Sequence, residues 1–117
     1  MFLTELRKYE EYIQSYHIHQ FEQNGNNLRL KMAINFNNES KLFVKEIIID
    51  GEKRKYAYQW INKKNELICR WDNAPDWPDI ETFPHHKHVG TENNVKPSEN
   101  IEFASVLDEL IQMMIRK

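Results

Sequence analysis

The chain has 117 residues, a single cysteine, 29% charged residues and a formal net charge of −2. That length supports one hydrophobic core rather than two, and a lone cysteine excludes an internal disulfide and the paired-cysteine zinc motifs. The slightly acidic balance lacks the strong basic excess of a dedicated nucleic-acid binder. Charges within the first ten residues rule against a signal peptide, and no run approaches the ~20 apolar residues of a membrane span. A soluble, cytoplasmic protein folding as one domain over residues 1–117 is therefore expected.

In chain order, Phe2, Leu6, Tyr9, Ile13 and Tyr16 recur at steps of three and four. That is one stripe of an amphipathic helix, with Thr4 as a candidate N-cap. "HIHQFEQ" reads as a strand and "NGNN" as a tight turn, so a hairpin is expected. Leu28, Leu30, Met32, Ile34 and Phe36 then alternate with Arg29, Lys31, Ala33 and Asn35, the clearest strand pattern in the chain.

"NNES" breaks that strand, and "KLFVKEIIID" resumes with β-branched residues that favour a pleated chain. Asp50-Gly51 turns it back into "KYAYQWI", and "NKKN" separates that strand from "LICRW". Connections this short are antiparallel. A closing helix is predicted from Phe103, Val106, Leu107, Leu110, Ile111 and Met114, with Ser98 or Asn100 as cap and Glu102 in the first turn. The expected fold is α+β: a five-stranded antiparallel meander with an N-terminal and a C-terminal helix packed on one face. The opposite face is left for solvent or a partner.

Charge is unevenly spread. Over residues 41–70 eight Lys and Arg meet four Asp and Glu, whereas from 71 onward nine acidic residues meet four basic ones. A phosphate-binding face with a separate partner surface would produce this, as would ordinary solvated charge. Tyr56, Tyr58 and Trp60 fall on one strand face. Such a row is more often core, packed under helices; the alternative is base stacking beside Arg54 and Lys55, which makes Arg54, Lys55, Tyr58 and Trp60 the candidate RNA contacts. His17 and His19 read as edge-strand residues.

The stretch "RWDNAPDWPDIETFPHHKHV", residues 70–89, departs from the rest. Pro75, Pro78 and Pro84 stiffen it, and a proline-stiffened loop of this length is typical of functional segments. If 85–88 is extended, His86 and His88 face one way and His85 with Lys87 the other. Arg70 and Asp72 likewise share a face opposite Trp71.

Three chemistries follow from these residue types. Two imidazoles with a cation suit phosphodiester cleavage: one takes the 2′-hydroxyl proton, one protonates the leaving oxygen, and Arg or Lys steadies the phosphorane. Two histidines with a carboxylate, from Asp72, Asp76 or Asp79, suit a divalent metal. Hydrogen bonding of a surface loop to its own backbone is the third account, with Arg70 and Asp72 a plain ion pair.

The succession "YAYQW", "LICRWDNAPDWPDIETFPHHKHV", "VKPSEN" and "SVLDELI" resembles the TumE family of toxin components of prokaryotic toxin-antitoxin systems, over about Tyr56 to Ile111. The motif positions are Arg70, Asp72, Asn73, Pro75, Phe83, Pro84, His85, His86, Lys87 and His88; Trp77 departs from a pattern that usually has histidine. The resemblance implies growth inhibition relieved by a cognate antitoxin, with RNA as the presumed target. The leading expectation is a metal-independent endoribonuclease without a cofactor, in which His85, His86, His88, Arg70, Asp72 and Lys87 carry the chemistry. A non-catalytic module that occludes a partner, and a metal-dependent enzyme using the same histidines, are the rivals. Homo-oligomerisation stays open.

Overall fold

Alternation of apolar and polar residues dictates a sheet with two unlike faces, and the computed structural model, described over residues 2–116, builds one. Among those residues seven strands pair in sequence order, every pair antiparallel. They are β1 (Ile13–Asn24), β2 (Asn27–Phe36), β3 (Lys41–Ile49), β4 (Lys53–Ile61), β5 (Leu67–Asp72), β6 (His86–Val89) and β7 (Val95–Pro97). Strands β2 to β5 lie where alternation and turn residues put them. At the β3–β4 turn Asp50 and Gly51 both adopt positive φ, 55° and 72°, as a tight hairpin requires.

Two expectations are corrected. The sheet has seven strands rather than five, because β6 and β7 have only four and three residues, too short for a period-two signal to emerge among flanking prolines. The N-terminal helix, α1, stops at Lys8 and is followed by a 3-10 turn over Glu10–Tyr12. Ile13 and Tyr16 belong to β1, whose twelve residues gain backbone pairing along β2 that a longer helix would forfeit. Thr4 thus lies inside α1 rather than capping it.

The closing helix, α2 (Phe103–Ile115), buries Phe103, Val106, Leu107, Leu110 and Ile111, the expected stripe apart from the partly buried Met114. Its N-cap is Glu102, without a side-chain cap bond. Asn100 instead accepts a hydrogen bond from Arg54 Nη1 at 2.8 Å. Both helices cover one face of the sheet, where Leu30, Met32, Ile34, Phe36, Leu42, Val44, Tyr58, Trp60, Cys69 and Trp71 complete the core. Burial pushes the Cys69 thiol up to about 12, so it behaves as a small apolar residue. No helix among the described residues is long and apolar enough to cross a membrane.

One acid is buried on this face. Glu46 Oε1 accepts from Arg54 Nε at 2.9 Å and Oε2 from the Tyr58 hydroxyl at 3.0 Å. The guanidinium also donates to the Ile101 carbonyl at 2.9 Å and lies 4.3 Å from the Tyr56 ring centre, so Arg54 ties the segment leading into α2 to the sheet. Removing one partner of such a pair strands the other charge. Arg54→Ala is therefore expected to lower stability by about 3 kcal/mol or more. Lys55→Ala, on the opposite face, should change it by less than about 0.5 kcal/mol. Urea unfolding of the two variants checks both values.

Candidate functional site

The face away from the helices carries the polar alternates of every strand. Register places residues across it in rows: His17, Ala33, Phe43, Gln59, Arg70 and His88 in one, Gln20, Lys31, Lys45, Ala57, Asp72 and His86 in the next. The small side chain of Ala57 hollows the face. One groove of ≈ 330 Å³ is lined by Lys45, Lys55, Ala57, Arg70, Asp72, Asn73 and Pro75 among others. Another, also ≈ 330 Å³, adjoins it through Lys45, Ala57 and Arg70 and reaches Lys31 and His19.

At the β5–β6 end the face is closed by the 73–85 loop. Asp72 is the last residue of β5, and its carboxylate gathers four donors or ligands. Oδ1 accepts from the Ala74 N–H at 3.0 Å and lies 2.9 Å from His86 Nε2. Oδ2 accepts from Arg70 Nε at 2.9 Å and lies 3.3 Å from His88 Nε2. The two imidazoles also meet each other, Nε2 to Nε2, at 3.1 Å. Asp72, His86 and His88 are all buried. Trp77 packs its ring edgewise against His88, at 6.3 Å between centres.

The far side of each ring fixes its tautomer. His86 Nδ1 lies 2.9 Å from the Pro84 carbonyl oxygen and His88 Nδ1 2.7 Å from that of Glu92. A carbonyl only accepts, so both Nδ1 atoms carry hydrogen, and both Nε2 atoms face the Asp72 carboxylate. Arg70 bridges this cluster to the open face, donating through Nη1 to Gln59 Oε1 at 2.9 Å.

The residues singled out from sequence therefore divide. Arg70, Asp72, His86 and His88 come together. His85 and Lys87 point to the helix side, as period-two geometry requires: the Tyr56 hydroxyl meets His85 Nδ1 at 2.8 Å, and Lys87 Nζ is 4.0 Å from Glu109. Asp76 and Asp79 are exposed in the loop and outside the cluster. Of the candidate RNA contacts only Lys55 lines the groove on the open face. Tyr58 and Trp60 are buried in the core and offer no ring to a base, and Arg54 is committed to Glu46. Base stacking by this row gives way to packing, because the helices claim the same face. Sequence reasoning passed over Lys31, Lys45 and Gln59, which the alternation of β2, β3 and β4 already assigned to the side opposite the core.

Two outcomes are expected. Nitrogen-15 NMR of the metal-free protein should show both His86 and His88 with hydrogen on Nδ1. His85 sits below the ordinary 6.5, chiefly from burial and then from the Arg54 charge. The unfolded chain takes up that proton first, so the contribution of His85 is present above 6.5 and lost as pH falls through the lower native value. His85→Gln should then flatten part of the fall in urea midpoint below pH 6.5.

Neither curated proteins nor solved structures give a match. The model of the family described as toxin TumE matches residues 2–116, well beyond the segment on which the sequence resemblance rests. The chain belongs to the TumE toxin family, a family of toxin components that implies a cognate antitoxin.

Proposed function

We propose that this toxin cleaves RNA at the Asp72 end of the open sheet face, and that growth inhibition follows from the cleavage. The observation that carries the reading is the line of cations leading to the polar cluster. Lys31 and Lys45 share a row with Asp72, and Arg29 and Lys55 flank it in the next. The acids facing the same side are few: Glu22 is opposite Arg29, and Asp72 is held by Arg70. A nucleic-acid backbone is attracted to such a stripe by charge alone, whatever its bases. Tyr58 and Trp60, the side chains expected to stack bases, are in the core, and the open face presents Phe43 among its cations, so recognition rests chiefly on phosphate.

The chemistry is transesterification. O2′ loses its proton and bonds to phosphorus, the bond from phosphorus to O5′ breaks, and O5′ gains a proton, leaving a cyclic phosphate and a 5′-hydroxyl. Arg70 lines the groove, where it would meet the charge developing on the phosphorane. The Asp72, His86 and His88 cluster takes the O2′ proton through Asp72, which lines the groove, and returns a proton to O5′. His85 and Lys87 have no part in this assignment, since they lie on the other face.

A second reading, a non-catalytic module that occludes a macromolecular partner, has one observation in its favour. His86 and His88 are 2% and 5% exposed, so substrate does not meet them directly. The test is incubation of purified protein with a defined single-stranded RNA. Wild type should cleave it, and His86→Ala/His88→Ala should lose about 100-fold or more of the rate. Lys45→Ala/Lys55→Ala should weaken RNA binding and reduce its salt dependence by about one to two charges. Absence of cleavage by wild type, with growth arrest retained by the double histidine variant, would leave occlusion as the function.

A further inference from the structure

We propose that Asp72, His86 and His88 form a binding site for one divalent transition-metal ion, of the zinc, cobalt, nickel or manganese type. The inference does not rest on RNA cleavage, since it follows from the arrangement of lone pairs alone. With both Nδ1 atoms donating to carbonyls, the two Nε2 atoms approach to 3.1 Å, and neutral rings would place no hydrogen between them. Carboxylate oxygens stand 2.9 and 3.3 Å away. Lone pairs do not gather in a buried pocket without positive charge among them.

Arg70 and the Ala74 N–H satisfy the Asp72 carboxylate from outside, yet neither reaches between the imidazoles. The remaining positive charge is an extra proton or a cation. Geometry favours the cation. Two ligands each about 2.1 Å from a metal ion are about 3.0 Å apart at a right angle and about 3.4 Å at the tetrahedral angle. The observed separations of 3.1 and 3.3 Å fall in that interval, and that of 2.9 Å lies just below it.

The surroundings match what ligating histidines need. Each ring is oriented by a backbone carbonyl on its other nitrogen, at Pro84 and Glu92, and the carboxylate is held by Arg70. These supports come from the 73–85 loop, β5 and the turn after β6, so the loop stiffened by Pro75, Pro78 and Pro84 acquires a reason for its shape. Two histidines and one carboxylate leave coordination positions vacant on the ion. Asp72, which lines the groove, is the ligand nearest the open face. An ion there would occupy the lone pairs that act as base in the metal-free cluster and would supply Lewis acidity beside the groove in their place.

The test uses the full chain, stripped with a chelator and titrated with zinc by calorimetry and with cobalt by absorption. One ion per chain is expected, with a cobalt spectrum of mixed nitrogen and oxygen ligation and a thermal unfolding midpoint that rises with metal and returns with EDTA. His86→Ala/His88→Ala should weaken affinity by about 100-fold or more. Asp72→Asn, which keeps the shape of the side chain, supplies a second variant; circular dichroism establishes that each remains folded. His17→Ala/His19→Ala removes the exposed imidazole pair of β1, whose rings are 4.5 Å apart, and should leave affinity unchanged. Absence of stoichiometric binding by wild type would overturn the proposal and assign the lone pairs an extra proton. Loss of binding in the His17/His19 variant with retention in His86/His88 would overturn it as well. Metal titration involves no RNA, so its failure is distinguishable from failure of the nuclease reading.

Discussion

The register between β5 and β6 is the constraint on which the site depends. Asp72 pairs with His86 and Arg70 with His88, while Trp71 and Lys87 form the pair between them on the helix side. A slip of one residue would turn His86 and His88 toward the core and bring His85 and Lys87 beside Asp72, because side chains alternate strictly along a strand. Trp71 is what forbids the slip on β5: its ring is fully buried beneath the helices, and moving it to the open face would expose it and leave a void. On β6, whose four residues make a short ladder, the same choice is enforced by polar contacts. The Pro84 and Glu92 carbonyls receive the two Nδ1 hydrogens only in the observed register. Core packing on one side of the sheet and hydrogen bonding on the other thus select the same alignment.

That dependence explains what the sequence made legible. Strands β2 to β5 announce themselves because each has one buried face and one wet face, and Asp50-Gly51 supplies a turn that other residues tolerate poorly. β1 is obscured by chance: Phe2, Leu6, Tyr9, Ile13 and Tyr16 match a helical period across a real helix, a 3-10 turn and the start of a strand. β6 and β7 were beyond reach, since their pairing is imposed by the unpaired edge of β5 rather than by their own composition. Within the site, alternation alone separated His86 and His88 from His85 and Lys87. It did not say which pair would meet Asp72, which is a question of register and hence of tertiary structure.

The protein contains two buried acids with basic partners, and their difference separates architecture from a candidate site. Glu46 is enclosed by Arg54 and the Tyr58 hydroxyl, and Arg54 in turn reaches Asn100 and the Ile101 carbonyl. Every charge there has a partner of opposite character, and the cluster holds α2 to the sheet. Asp72 is also matched by an arginine, yet it is flanked by two imidazoles whose Nε2 atoms close on it. The first cluster is electrostatically complete as built. A proton or a cation would complete the second, which lies at the end of a face that carries Lys31, Lys45 and Lys55. Two buried imidazoles closing on one carboxylate call for positive charge among them, as a proton or a cation, a demand that the Glu46 cluster does not make.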